Sequence, residues 1–376
     1  MEKKIVFINQ DTGYLMIDIV NAFAQKFDKV ALIAGSIRVQ HAPLDNRVEY
    51  SKIIRYNRGS LLKKVFSWFW GTAQVFFLVV FKYRKYEIFY VTVPPTAYLL
   101  SYFLKRNFSV LVYDVYPDVL KTFNIRETNL IYKLWRFLNK KVFIKAYKIF
   151  TLSEGMAELL GQYAQRDKII VIPNWPSDLF RPIDKKYNRF LLENHLLDKF
   201  IILYTGNIGY THNVEVLIEA ARKLRNENEV LFLIGGRGRK KEAIRKMVVD
   251  YKLANCKIIP FQAADMVPFL LAAADIVVVA LNDEVVSASF PSRIYNFLAV
   301  GSPLLGIVHQ KSEINELISK YNNGKSFDSV DINGMSNFIL KLKSDKRLHA
   351  EYSNNSFKAS KNFTRENAKL YLNHYV

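Results

Sequence analysis

Three stretches of this 376-residue chain bring together residue types that can hold a phosphate. In Thr205-Gly206-Asn207-Ile208-Gly209, two glycines follow an apolar run and precede a helix expected near Asn213. Such glycines let backbone amides approach an anion at a helix start, and they serve a plain tight turn equally well. Gly235-Gly236-Arg237-Gly238-Arg239-Lys240-Lys241 adds four cations to its glycines, enough positive charge to neutralise a diphosphate. Arg239 to Lys241 also suit a solvated helix start, whereas Arg237 is locked between glycines. The third stretch, Ser287-Ala288-Ser289-Phe290-Pro291-Ser292-Arg293, is the most specific: small polar residues lead into a helix that opens with Pro291 and closes at Gly301. That order makes an anion site at the helix start, with Arg293 adding charge in the first turn.

The elements that must position these loops alternate along the chain. Apolar runs at 4–8, 30–34, 88–93, 110–115, 148–152 and 169–172 read as buried strands, with helical stretches between them. Parallel strands need crossovers, and helical crossovers cover both faces of the sheet, so the first half is a doubly wound α/β lobe. A polar stretch at 184–188 precedes a second series at 200–204, 230–234, 256–259, 275–280 and 303–308. The sequence therefore predicts two Rossmann-like parallel-sheet lobes, 1–183 and 184–360. A C-terminal helix at 361–376 has the spacing to cross back onto the first lobe. Ligands of such sheets bind beyond the carboxyl ends of the strands, and all three glycine and serine loops fall there.

Composition narrows the partners. Lysine and arginine number 54 against 34 acidic residues, and an excess of 20 positive charges must act on nucleic acid, phospholipid headgroups or phosphorylated small molecules. A single cysteine, Cys256, allows no internal disulfide and no cysteine cluster for zinc, which fits a reducing cytoplasm. The opening Met1-Glu2-Lys3-Lys4 and the short apolar run after it fall short of a signal-peptide core. The stretch 61–83 is aromatic and flanked by Lys63-Lys64 and Lys82-Tyr83-Arg84-Lys85. Its apolar run is about 17 residues, at the short limit for spanning a bilayer, and a crossover helix is needed at this point. A buried crossover helix and a helix docked on headgroups are compatible readings of it.

The order of segments resembles the family-four retaining glycosyltransferases of GT-B fold, in the branch that builds bacterial surface polysaccharides. In the first half the resemblance rests on Thr92-Val93-Pro94-Pro95, Tyr113-Asp114-Val115-Tyr116-Pro117-Asp118, Leu152-Ser153-Glu154-Gly155-Met156, Ile172-Pro173-Asn174-Trp175 and Asp178-Leu179-Phe180-Arg181-Pro182. In the second it rests on Tyr204-Thr205-Gly206-Asn207-Ile208-Gly209 and Pro291-Ser292-Arg293-Ile294-Tyr295.

The resemblance implies two lobes facing a central cleft and transfer of a sugar, with retention of configuration, from a nucleotide-diphosphate sugar, UDP favoured. The acceptor it implies is a membrane-associated saccharide on a polyprenyl diphosphate carrier, reached from the cytoplasmic side of an anionic membrane. Gly13, Gly206, Asn207, Arg237, Ser289, Phe290, Arg293 and Asn296 are the implied donor-binding residues. Asp114 is the residue expected to orient or deprotonate the acceptor hydroxyl, with Asp118 one helical turn on; a helix N-cap is the plainer role for Asp114. No metal and no cofactor are expected, because backbone amides with Arg293 and Arg237 would stabilise the leaving diphosphate.

The chain departs from the family where many members carry an arginine and a lysine in the first glycine loop, since Asn207 and His212 stand there. Where many carry two glutamates, Ala288 and Asn296 stand, with Glu284 nearby. Three rival readings remain. A nucleic-acid binder would explain the charge, but no binding module is recognisable. A nicotinamide oxidoreductase would need G-x-G-x-x-G after a first strand, which is missing. A non-catalytic nucleotide-sugar-binding protein differs from an enzyme only in turnover.

Overall fold

The computed structural model describes residues 2–57, 59–123, 125–209, 212–282 and 290–375. They divide into two units, one holding the chain up to Ser177 with Phe290 and the segment from Arg365, the other holding the remainder from Asp178 to Thr364. The sequence had placed these junctions at 183/184 and 360/361. Pro182 belongs with the second unit because it lies under the turn at Gly301, where an added Cβ would stand 3.6 Å from its ring.

In the first unit the apolar runs become β1 (Lys4–Ile8), β2 (Lys29–Ala34), β3 (Glu49–Lys52), β4 (Glu87–Val91), β5 (Phe108–Leu111), β6 (Ile149–Thr151) and β7 (Ile169–Val171). All pair in parallel, in the order β3-β2-β1-β4-β5-β6-β7. Strands buried on both faces have no polar alternation, which is why the central ones were readable as continuous apolar runs. The edge strand β3 was not: of Glu49-Tyr50-Ser51-Lys52 only Ser51 is buried. Charged side chains on an edge discourage pairing with another chain and erase the apolar signal.

Helix α1 (Tyr14–Phe23) follows β1, and α2 (Leu61–Phe77) forms part of the crossover from β3 to β4. Ser60 caps α2 by accepting from the Lys63 amide at 3.4 Å, supplying one of the partners a helix start lacks. Gly71 brings α2 close to the sheet: a Cβ there would stand 2.7 Å from Gln10 Nε2. Gln10 Nε2 donates to the Ser67 carbonyl at 2.8 Å and to the Ile54 carbonyl at 3.1 Å.

The last helical segment completes this unit. In α3 (Leu130–Phe143) and α4 (Asn367–Asn373), the latter at the far end of the sequence, the inward residues include Tyr132 and Phe143, and Ala368, Tyr371 and Leu372. Tyr371 packs on Phe150 at a ring distance of 4.9 Å and Tyr375 meets Phe23 edge-on at 5.2 Å. Arg365 Nε lies 3.0 Å from the buried carboxylate of Asp18, which also accepts from Trp175 Nε1 at 3.0 Å and sits 3.2 Å from His41 Nε2.

The second unit holds β8 (Phe200–Asn207), β9 (Val230–Arg237), β10 (Cys256–Ile259), β11 (Ile276–Ala280), β12 (Leu304–Ile307) and β13 (Gly324–Phe327). They are parallel, in the order β10-β9-β8-β11-β12-β13. β8 and β9 outrun their apolar residues because the glycines keep pairing, Gly206 opposite Gly236. Gly236 has φ +154° and Gly238 φ +157°, and a Cβ on either would stand 2.1 or 2.2 Å from the carbonyl oxygen of Gly206 or Ile208. Only glycine fits both positions. β13 escaped the sequence reading because Gly-Lys-Ser-Phe has a single large apolar residue.

Candidate functional site

In the second sheet the strand order reverses between β8 and β11, which marks the carboxyl ends of those strands as the place for a ligand. At the end of β8 the Tyr204 hydroxyl donates to the Asn207 carbonyl at 2.7 Å and holds the glycine turn. Beyond it His212 precedes the helix Val214–Lys223. Lys240 Nζ donates to the His212 carbonyl at 2.9 Å and pairs with the Glu215 carboxylate at 2.6 Å. Burial, then Lys240, then Arg293 push the His212 imidazole down to about 4, so it is neutral at pH 7. Lys240 was one of four cations in its loop, and its link to His212 had no local signal.

Arg293 begins the helix Arg293–Ala299, and its positive charge reaches both His212 and Tyr204. One turn on, Asn296 carries a buried Oδ1 with no hydrogen-bond partner. A buried acceptor left unpaired is costly, of order 1–3 kcal/mol, and a ligand donor would relieve it. Arg237 stacks on the exposed ring of Phe261, with its guanidinium carbon 4.0 Å from the ring centroid. The second unit thus carries Gly206 and Asn207 at the end of β8, Arg237 at the end of the neighbouring strand β9, and Arg293 and Asn296 on one helix. Ser289, Ala288 and Glu284 lie outside the described residues. Phe290 packs against the core of the first unit.

In the first unit the order reverses between β1 and β4. Gly13 ends the loop after β1, and a Cβ there would meet nothing within 4 Å. Its φ of −111° is open to any residue, so neither backbone nor packing demands glycine, and the space in front of it is free of described protein atoms. Asp114 lies just past β5. Burial raises its carboxyl to about 6, against the opposite pull of the Lys64 ammonium from α2. Lys64 was visible in the sequence only as a flanking charge.

Asp118 is differently placed. It is 4% exposed, its Oδ1 accepts from the Tyr132 hydroxyl at 2.7 Å, and its Oδ2 accepts from the Tyr163 hydroxyl at 2.6 Å. The same face of α3 supplies Trp135, whose Nε1 donates to Tyr98 at 2.9 Å, and Asn139, whose Nδ2 donates to the Tyr116 carbonyl. These bonds fix the 114–118 loop from below. Among the described residues no group of three or more His, Cys, Asp or Glu side chains is placed to hold a metal ion.

Known proteins share sequence or fold with this chain. Residues 191–359 match the family described as Glycosyl transferases group 1. The chain is similar to a Pseudomonas aeruginosa protein named as glycosyltransferase WbjE, 23% identical over 328 residues, covering 82% of this chain and 80% of that one. It is also similar to an Escherichia coli protein, WcaI, named for a colanic acid biosynthesis glycosyl transferase, 33% identical over 181 residues, 46% of this chain and 43% of that one. Among solved structures, Anabaena HepE in complex with UDP-glucose superposes with a TM-score of 0.73 at 14% identity, covering 99% of this chain and 98% of that one. That likeness shows the fold: two parallel-sheet α/β units of GT-B type.

Proposed function

We propose that this chain is a retaining glycosyltransferase of the family-four kind that moves a sugar from a nucleotide-diphosphate donor, UDP favoured, to a saccharide on a polyprenyl diphosphate carrier. The observation that carries it is the cationic surrounding of His212: beyond burial, the charges of Lys240, which also pairs with Glu215, and of Arg293 disfavour a proton on the imidazole, and the same field attracts a diphosphate. These two cations stand in for the arginine and lysine that Asn207 and His212 replace. The unpaired Asn296 Oδ1 would accept from a ribose hydroxyl.

In this reading the leaving diphosphate is stabilised by Lys240, Arg293 and backbone amides beyond β8, with no metal required. Asp114 orients the acceptor hydroxyl or takes its proton, and a carboxyl near 6 is a better base than an ordinary one. Asp118 positions the loop that carries Asp114. The open space at Gly13 admits the donor sugar. The colanic acid biosynthesis in the name of WcaI supports an acceptor in polysaccharide assembly, at the inner face of the cell membrane.

Thermal unfolding with UDP, GDP, ADP and NADH tests the donor reading, because a ligand bound only by the folded state raises the melting temperature. A shift with UDP that Arg293→Ala removes, and that persists in EDTA, is expected. A shift with NADH alone, or with none of the four, would overturn it. Release of UDP on turnover separates the enzyme from a non-catalytic binder.

A further inference from the structure

The first unit carries helices with apolar residues turned outward. α3 turns Tyr132 and Asn139 inward beside Val142 and Phe143, and the two polar side chains make the bonds described above. It turns Leu130, Ile131, Leu134 and Phe137 outward, between 51% and 79% exposed. α2 and the helical turn Leu78–Lys82 that continues it also expose an apolar outer stripe: Leu62, Phe66, Phe69, Trp70, Phe77 and Phe81 are between 53% and 83% exposed. The two helices are joined by the turn Ala97–Tyr102: Thr72 bonds Thr96 at 2.6 Å beside it, and the Tyr98 ring stacks on Phe143 at 5.4 Å. Tyr102 and Phe103 are exposed between them. Monomeric soluble surfaces rarely leave apolar area of this extent open to water.

Cations dominate the charge around this area, although Glu49 pairs with Lys82 and Glu127 with Arg136. From Tyr50 to Tyr86 there are eight lysines and arginines and no acidic residue, and from Thr128 to Ser153 there are six and none. Lys141 lies over the Phe137 ring at 5.7 Å and Lys145 over Tyr102 at 5.6 Å, so cations and aromatic rings are interleaved. Aromatic rings with long cationic side chains suit the headgroup level of a bilayer, where the ring enters the acyl boundary and the ammonium stays at the phosphates.

The stretch Leu62–Lys82 is long and apolar enough to cross a membrane. Its inner stripe, however, is bound to the unit along its length. Val75 and Val79 are in the core, the Gln74 side chain accepts from the Ile54 amide at 2.8 Å, and Ser67 accepts from Gln10 at 2.8 Å. Crossing a bilayer would strip all of these contacts.

We infer that α2, the turn Ala97–Tyr102 and α3 form one docking surface that lies in the plane of an anionic phospholipid interface, aromatic stripe down, without spanning it. This inference rests on the proposed lipid-borne acceptor: it places Asp114, which follows β5 and feels the charge of Lys64 on α2, on the docked unit, where a carrier-linked saccharide would be presented.

Vesicle sedimentation tests it, using the full chain with phosphatidylcholine vesicles and with vesicles containing phosphatidylglycerol. Two variants accompany it, Phe66→Ser/Phe69→Ser/Phe77→Ser and Lys140→Glu/Lys141→Glu. Binding to the anionic vesicles alone is expected, weakened about tenfold or more in each variant, with the UDP-induced melting shift unchanged in both. Bound protein should be released by alkaline carbonate. Variants that bind like the parent, equal binding to neutral vesicles, or retention after carbonate would each overturn the inference. So would a concentration-dependent dimer, abolished by the triple serine variant, in a chain that ignores vesicles. Loss of the UDP shift in the parent chain with vesicle binding intact would remove the proposed reaction and leave the docking surface standing.

Discussion

In both units burial disfavours the charged form of an ionisable group, and because one group is an acid and the other a base the shifts run in opposite directions. In the first, burial outweighs a neighbouring lysine and lifts the Asp114 carboxyl to about 6. In the second, burial and two cations act together and lower the His212 imidazole to about 4. One environment favours holding a proton near neutrality and the other rejects it. The same framework of parallel strands and glycine turns thus carries a carboxyl suited to proton transfer, where a neighbouring cation opposes desolvation, and an imidazole set among cations suited to anions, where the cations reinforce it.

The largest break in that comparison should come from Asp114→Asn. If Asp114 acts on the acceptor hydroxyl, kcat should fall roughly 10²-fold or more, while UDP still raises the melting temperature. In the parent enzyme kcat/KM should decline as pH drops through about 6, where Asp114 takes up its proton; the Asn variant should lack this limb. A variant that keeps the limb would move the base elsewhere.

Arg293→Ala should weaken UDP about 10- to 100-fold by titration calorimetry, the size of a lost charge-assisted contact. Tyr132→Phe sharpens the distinction between Asp114 and Asp118. It should cost roughly 1–3 kcal/mol in denaturant unfolding by leaving a buried carboxylate oxygen underbonded, and UDP affinity should not move. Asn296→Ala should weaken UDP by about five- to tenfold, the net worth of one neutral hydrogen bond.

The smallest effect concerns acid stability. The folded-state pKa of His212 lies below its ordinary 6.5, so the unfolded chain binds more protons, and stability is lost as pH falls from 6.5 towards 4. Asp114 has the opposite sign: its raised pKa favours the folded state below about 4 and loses that contribution as pH rises through 6. His212→Gln should therefore flatten the fall in melting temperature between pH 6.5 and 4 without changing it at pH 7.5.

Much of the sheet framework was readable because strands buried on both faces leave uninterrupted apolar runs, as at Lys4–Ile8 and Ile276–Ala280. Edge strands such as Glu49–Lys52 were hidden, since their side chains answer to solvent. The glycine turns at 206 and 236–238 were also visible, because only their residue type permits such close backbone approach. Their charge partners were not. Lys64 reaches Asp114 across 50 residues and Lys240 reaches His212 across 28, and no local pattern encodes pairings set by how helices lie on a sheet. Asp118 shows the converse: a carboxylate in the right segment, whose two oxygens prove to be taken by tyrosines from α3 and from Tyr163.

The segment after Arg365 has a consequence in time. Tyr371 and Tyr375 cover Phe89, Phe150 and Phe23, and Arg365 reaches the buried Asp18. These partners are synthesised first, and their cover arrives only after the whole second unit, Asp178 to Thr364, has been made. At ~5–20 residues per second that interval is roughly ten to forty seconds. The half of the protein that emerges first is therefore the half that finishes last. Through that interval its aromatic face stands open on the nascent chain, where a chaperone, or a neighbouring nascent chain, meets it before its own terminus does.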